Sequence, residues 1–434
     1  MNRYEIAVLL ALGLAACAGV AQLPIEQGMG PDPVLPPPSK ELIPTVKVAD
    51  ATGWPAGKAP IPAEGTKVTR FAGDLAHPRW LHVLPNGDVL VAETAAPERP
   101  EENRGLKAWF MGLFMKKAGS AVPSADRITL LRDADGDGVA ETRATFASGL
   151  HSPFGMAQVG DAMYVANTDG IVRYAYTPGA TQVAGAPAKV TDLPAGPRNH
   201  HWTKSLIASR DGARLYATVG SNSNVAENGM AAEEGRAAIW EVDPATGSKR
   251  MFATGLRNAN GMAWEPDSGA LWTAVNERDE LGPDLVPDYI TSVKDGGFYG
   301  WPYSYYGANV DARVSPQRPE LVAKAIKPDY AVGSHTASLG LASSRGSKLA
   351  PGFENGMFVG QHGSWNRKPP SGYKVIFVPF ANGRPSGPPR DVLTGFLSGD
   401  GDAWGRPVGV AVDARGGLLV ADDVGNAVWR VASR

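Results

Sequence analysis

The chain holds a single cysteine in 434 residues, Cys17, so no disulfide within the chain can staple the fold. It also lacks a large charge of either sign, with 42 Lys and Arg against 44 Asp and Glu and a formal net charge of −2. That balance leaves no electrostatic footprint for a nucleic acid, and none is expected as a partner. Beyond the N-terminus no apolar run is long enough to span a bilayer. Of the seven histidines, His77, His82 and His151 lack the spacing of a metal site, which argues against zinc. What the chain has in quantity is turn-forming residues, 52 Gly and 36 Pro, the composition of a large β-protein with many short strands.

The strands repeat. Gly155-Met156-Ala157 precedes Ala162–Ala166 and Gly170–Tyr174; Gly261-Met262-Ala263 precedes Ala270–Ala274; Gly409-Val410-Ala411 precedes Gly417–Ala421 and Ala427–Val431. Looser copies run over 80–93, 206–219 and 339–360. Each reads as strand, Asp/Asn/Gly turn, strand, loop, strand. Six copies at a regular period predict an all-β fold, a six-bladed β-propeller over 66–434, with the strand near Thr66–Phe71 closing the ring against the last blade.

The N-terminus predicts an address. Arg3, the apolar stretch from Ala7 and Leu14-Ala15-Ala16-Cys17 read as an export signal over 1–17 whose end is similar to a bacterial lipobox, with Cys17 lipidated. The Pro-rich residues 18–65 read as an extended tether holding the propeller off the membrane. The expected location is the periplasmic side of a bacterial membrane. An insertion at 98–124 breaks the blade pattern: Leu106, Trp109, Phe110, Leu113 and Phe114 follow helical spacing, with Lys107, Lys116 and Lys117 alongside. A helix over 106–118 either packs on a blade or meets the membrane surface or an electron acceptor.

Chemistry gathers where blades begin. Arg198-Asn199-His200-His201-Trp202-Thr203-Lys204-Ser205-Leu206 leads into one innermost strand, Gly255-Leu256-Arg257-Asn258-Ala259-Asn260-Gly261 into the next, and Gly405-Arg406-Pro407 into the last. Equivalent positions of different blades converge on the propeller axis. An imidazole, two guanidiniums and a carboxamide there suit proton removal from an alcohol beside a small, multiply anionic ligand. His335, just before another blade, is a candidate channel residue.

These runs, with Asn276-Glu277-Arg278-Asp279-Glu280-Leu281 and Gly297-Phe298-Tyr299-Gly300-Trp301-Pro302, resemble the soluble pyrroloquinoline-quinone-dependent sugar dehydrogenases, most closely their L-sorbosone-dehydrogenase-like branch. The resemblance spans residues 66–434. It implies a quinone and Ca²⁺ in a basic cleft of the propeller, and a sugar or sugar aldehyde oxidised to lactone or acid. It further implies electrons passing to a cytochrome or a membrane quinone pool. His201 becomes the general base, Arg257, Asn258 and Arg406 cofactor-binding residues, and Asn276, Glu277, Asp279, Glu280 and Tyr299 the calcium region. Where the family often has a quinone-binding lysine, this chain reads Gln361-His362-Gly363-Ser364-Trp365-Asn366-Arg367-Lys368, so His362, Arg367 or Lys368 stands in its place. The shorter calcium loop argues against assuming glucose.

Two other functions stay open: a Ca²⁺-dependent lactonase, which the converging arginines disfavour, and a non-catalytic, surface-anchored ligand-binding propeller. Asp133-Ala134-Asp135-Gly136-Asp137-Gly138 begins like an EF-hand loop, but its twelfth position is Ala144, so a turn with weak Ca²⁺ binding is the expectation. Asn222-Ser223-Asn224 either lines the channel or makes a turn.

Overall fold

A computed structural model of the chain describes residues 19–39, 47–98 and 117–434. Cys17 and the positions that carry the helical pattern at 106–114 lie outside them. Six antiparallel sheets follow one another along the chain as the blades of a propeller. Blade one runs from Pro78–Val83 to Thr142–Ser148, blade two from Met156–Val159 to Ala184–Asp192, and blade three from Leu206–Ala208 to Lys249–Thr254. Blade four runs from Ala259–Trp264 to Tyr330–Ser334 and blade five from Ser338–Ser343 to Arg390–Thr394. Blade six begins at Pro407–Val412, and Thr66–Ala72 completes it by pairing antiparallel with Ala427–Ser433, Val68 opposite Val431. The ring closes between the two ends of the sequence, as the repeat required.

The second strand of each blade is the structural spine. Val89–Glu93, Ala162–Asn167, Leu215–Val219, Leu271–Val275, Gly356–Gln361 and Leu418–Asp422 are buried at every position. Their sheets are covered on both faces, which is why these segments read as unbroken apolar runs instead of alternating ones. The cores lie in the seams between blades. Leu90 and Ile128 of blade one pack with Met163 and Val165 of blade two, and Val91 and Leu131 meet Leu419 and Val428 of blade six on the other side. Truncating one such side chain to Ala costs about 2–5 kcal/mol. The recurring glycine has a steric cause. A Cβ on Gly155 would lie 2.2 Å from the Leu206 backbone N, and one on Gly261 2.3 Å from that of Leu341. Glycine there lets each inner strand press directly on the backbone of the next blade.

Residues 18–65, read as a free tether, are instead laid against the propeller wherever they are described. Met29–Gly30 adds an edge to blade four by pairing with Val332 and Ala331, and Ile61–Pro62 adds one to blade five by pairing with Thr394 and Leu393. Trp54 packs on Phe396, Trp404 and Trp429 and donates to Asp422 Oδ2 at 2.7 Å. Proline-rich composition fixed the extended form, but the apolar side chains of Ile25, Met29 and Trp54 find burial that a free linker would forgo.

Antiparallel order sorts the loops by face. The lead-in to each first strand and the link between second and third strands lie at one end of the propeller. The other links lie at the opposite end. This parity brings the candidate residues together.

Candidate active site

His201 is fixed from both sides. Before it, Asn199 is pinned by Arg236, whose Nη1 and Nη2 both lie 3.1 Å from Asn199 Oδ1, and by its own donation to Thr168 Oγ1 at 2.7 Å. After it, Thr203 Oγ1 donates to Asn260 Oδ1 of blade four at 2.9 Å. The imidazole Nδ1 is 2.8 Å from the Ser221 carbonyl and 3.0 Å from Ser221 Oγ, and that hydroxyl gives its own proton to Ser223 O at 2.7 Å. Both oxygens facing Nδ1 are therefore acceptors. Nδ1 carries the proton, and Nε2 keeps the lone pair of a base. Burial first, and the Arg257 charge second, hold the His201 pKa well below its ordinary value, so the ring is neutral at neutral pH. Asn258 closes on the same point: a Cβ on Gly220 would be 2.5 Å from Asn258 Oδ1 and 2.6 Å from His201 Cβ.

Arg257, 2% exposed, spends its N–H groups inside the protein. Nε reaches Asn224 O (3.3 Å), Nη1 reaches Asn276 O (3.3 Å) and Glu277 O (2.6 Å), and Nη2 reaches Asn224 Oδ1 (3.0 Å) and Asp279 Oδ2 (3.5 Å). Asp279 also accepts from Asn366 Nδ2 at 2.7 Å and stands 3.4 Å from His335 Nδ1. Burial alone would raise the Asp279 pKa, but His335, Arg257 and Asn366 outweigh it and hold the carboxyl below its usual range. Burial would likewise lower His335, and Asp279 reverses that. With Nε2 bound to Gly282 O at 2.9 Å and Nδ1 facing Asn366 Nδ2 at 3.2 Å, both ring nitrogens of His335 are engaged within the protein.

Across the axis a second cluster forms around Asp423. Its Oδ2 accepts from Arg79 Nη1 (2.7 Å) and lies 2.8 Å from His362 Nε2 and 3.6 Å from His77 Nε2. These cations and imidazoles overcome the effect of burial and hold the carboxyl far below its ordinary pKa. Burial and Arg406 push His362 down to about 4. Arg406 bonds the carbonyls of His362 and Gly363 through Nε and Nη2, both at 3.0 Å, and lies over the Tyr373 ring. The Arg79 guanidinium is 5.9 Å from the ring of Trp202, the neighbour of His201, which ties the two clusters together.

Residues 126–287 and 320–434 match the model of a family described as TrAA12-like. The chain belongs to the TrAA12-like family. Its fold is similar to the Trichoderma reesei Carbohydrate-Active Enzymes family AA12 structure, with a TM-score of 0.69 and 18% identity over 87% of this chain and 98% of that one. It is also similar to the holo form of the pyranose dehydrogenase PQQ domain from Coprinopsis cinerea, with a TM-score of 0.66 and 22% identity over 89% and 100% of the two chains. In sequence it is 27% identical over 291 residues to the pyrroloquinoline quinone-dependent pyranose dehydrogenase of Coprinopsis cinerea, covering 53% of this chain and 39% of that protein. It is 32% identical over 111 residues to the aldose sugar dehydrogenase YliI of Escherichia coli, covering 25% and 28%. The chain spans less than two thirds of the length of the curated relatives it matches.

In this TrAA12-like protein five of the twelve buried side-chain polar atoms without a partner among the described residues lie at the site. Arg79 Nε, Asn222 Oδ1, Asn258 Oδ1, Asn366 Oδ1 and Asp423 Oδ1 are such atoms. A buried polar atom left unbonded is costly, so one end of the propeller holding five of them is built for a ligand with both donors and acceptors. Four of the five are acceptors that suit N–H or O–H groups of a ligand, and Arg79 and Arg406 beside them suit a carboxylate, so the residues fit a quinone bearing carboxylates. Calcium does not fit equally well. Asn276 and Glu277 give their carbonyls to Arg257, the Glu277 carboxylate pairs with Arg278 at 3.1 Å, and exposed Glu280 gives its carbonyl to Arg313. Asp279 is committed as described above. These side chains do not assemble into a metal donor set.

Tyr299 stands apart from that loop. Its hydroxyl donates to Ser292 O at 2.6 Å within a seam core, and burial pushes it up to about 12. Arg367 faces the N-terminal segment, bonding Leu23 O at 3.1 Å and pairing with Asp284 at 3.2 Å. Lys368 is exposed beside it. The structure thus brings His201, Arg257, Asn258, Asp279 and His335 together, and His362 with Arg406, while leaving Tyr299 and Arg367 elsewhere. Arg79, Asp423, His77, Asn224 and Asn366 are the site residues that sequence reasoning missed or left open. Asp423 directly follows a second strand, so the loop parity would have placed it at this end. The EF-hand-like turn does gather Asp133, Asp135, Asp137 and Glu141 with ligand atoms within 4.8 Å of one another, but between the third and fourth strands of blade one, at the opposite end.

Proposed function

We propose that the protein oxidises a sugar or sugar aldehyde, an aldose or a sorbosone-like compound, with pyrroloquinoline quinone as its bound oxidant and His201 as the base. The observation that carries this reading is the fixed tautomer of His201, whose Nδ1–H faces the Ser221 oxygens and leaves Nε2 as the basic nitrogen of a ring that feels the Arg257 charge. The named relatives support the same substrate class. When bound, the quinone supplies the two-electron acceptor for hydride leaving the substrate carbon. Arg406, whose Nε and Nη2 are engaged by carbonyls, would hold a carboxylate of the quinone through Nη1, with the Arg79 guanidinium adding positive charge nearby. His201 Nε2 takes the hydroxyl proton as hydride departs, a role worth about 10²–10⁴ in rate. The Ser221 carbonyl on Nδ1–H steadies the ring as it becomes an imidazolium. An aldose thus yields its lactone, and an aldehyde hydrate yields its acid. No step is assigned to calcium, because the Glu277 and Asp279 carboxylates and the Asn276 and Glu277 carbonyls are already paired.

Lipidation at Cys17 places the enzyme on the periplasmic side of a bacterial membrane, and a cytochrome or the membrane quinone pool takes the electrons. The test is reconstitution of the purified protein with pyrroloquinoline quinone, with and without Ca²⁺, against a panel of sugars and sugar aldehydes and an artificial acceptor. Turnover that requires the quinone supports the reading. Absence of quinone binding overturns it in favour of a binding propeller.

A further inference from the structure

We propose that the face of the propeller that carries the site is the face turned towards the lipid surface. The inference rests on the reading of Cys17 as a lipid anchor and adds an orientation to it. A free tether over 18–65 would reach about 160 Å and leave the propeller unoriented. Instead the chain docks almost at once. Ala21 N donates to Lys368 O at 2.8 Å, Gln22 N and Leu23 N donate to Asp284 Oδ2 at 2.7 and 3.2 Å, and Arg367 returns a bond to Leu23 O. Only three residues, four Cα–Cα steps, lie between Cys17 and Ala21, at most about 14 Å when fully extended.

Lys368 and Asp284 belong to the links between second and third strands of blades five and four, the links that also carry His362, Asn366 and Asp279. Downstream, Ser39 bonds Leu281 O, Lys47 bonds Trp365 O and Thr52 bonds Ala403 O, all on loops of this same end. The strand Gly356–Gln361 that leads away from this end is six residues, about 20 Å, long. A link of about 14 Å therefore cannot seat the opposite face on the bilayer. Val20, 45% exposed between anchor and first docked residue, offers an apolar side chain at the contact.

Cys17 is the sole cysteine, so once it is lipidated an introduced cysteine is the only free thiol. Lys368→Cys and Glu234→Cys place one on exposed positions of the site face, and Asp161→Cys and Arg345→Cys on hairpin turns of the opposite face. Each full-length lipoprotein, in vesicles containing spin-labelled phospholipid, is labelled with a fluorophore. The proposal expects quenching at Lys368→Cys and Glu234→Cys and none at Asp161→Cys and Arg345→Cys. Equal quenching on both faces, or quenching confined to the opposite face, overturns it with the anchor intact. Mass analysis of the Cys17 peptide reports separately on the anchor, and an unmodified thiol there removes both readings.

Discussion

The two sides of the site meet their cations in opposite ways. On the blade-four side, Arg257 has acceptors for Nε, Nη1 and Nη2, all protein oxygens, and its carboxylate partner Asp279 is itself shared with His335 and Asn366. On the blade-six side, Arg79 keeps an unbonded Nε, Asp423 an unbonded Oδ1, and Arg406 bonds only two carbonyls. The first side is a wall whose cation is spent on protein oxygens, though Asn222, Asn258 and Asn366 each keep an unbonded Oδ1 there, whereas the second is a receptor whose cation keeps an unspent donor. The base belongs to the wall and the anion to the receptor, and this division lets a substrate lie between them.

Substitutions should break the two sides differently. Asp423→Asn leaves Arg79 buried without its anion, and it should cost about 3–5 kcal/mol of stability in urea unfolding. Asp279→Asn should cost less, about 1–3 kcal/mol, because Arg257 retains the Asn224, Asn276 and Glu277 oxygens. Equal losses would erase the distinction. Arg406→Ala should weaken quinone binding about tenfold to a hundredfold, the worth of a hydrogen bond to a charged group. Arg257→Lys should change that affinity less than Arg406→Ala does, since the wall's bonds point inward. Titration of quinone fluorescence separates these cases.

The smallest expected effect is one of pH. The folded pKa values of His77 and His201 lie below the ordinary 6.5, and those of His82 and His362 at about 4. Between pH 6.5 and about 4 these four histidines therefore bind more protons in the unfolded chain than in the folded one, and their contribution to stability falls as pH drops through that window. His335, raised by Asp279, acts above about 6.5, where its contribution is lost as pH rises, while Asp288, raised to about 7 by burial, offsets part of the loss inside the window. Urea unfolding at pH 7 and pH 5 checks the sign.

Much of this was legible in the chain because a propeller repeats. The Gly-Met/Val-Ala motif marks inner strands that press on the next blade, and the ring closure at Thr66 follows from counting strands. His201, Arg257, Asn258 and Arg406 share one position in the repeat, so they could be found by alignment of the blades. Arg79 and Asp423 carry no such motif, and their pairing across the seam between blades one and six is a fact of the closed ring. Composition misled at the N-terminus, where Pro-rich residues are extended but docked, as Trp54 among aromatic rings shows. The family resemblance put Tyr299 and Glu277 in the calcium region, whereas in this fold their oxygens are engaged by Ser292, Lys294 and Arg278, contacts that no sequence pattern marks.

The most direct test is a single-turnover experiment on quinone-loaded protein without an electron acceptor. Reduction of the bound quinone by sugar would be followed by absorbance in the wild type and in His201→Gln. With His201 as the base, the variant binds the quinone as tightly as the wild type and reduces it about 10²–10⁴ times more slowly. Reduction at the wild-type rate in His201→Gln would contradict the account.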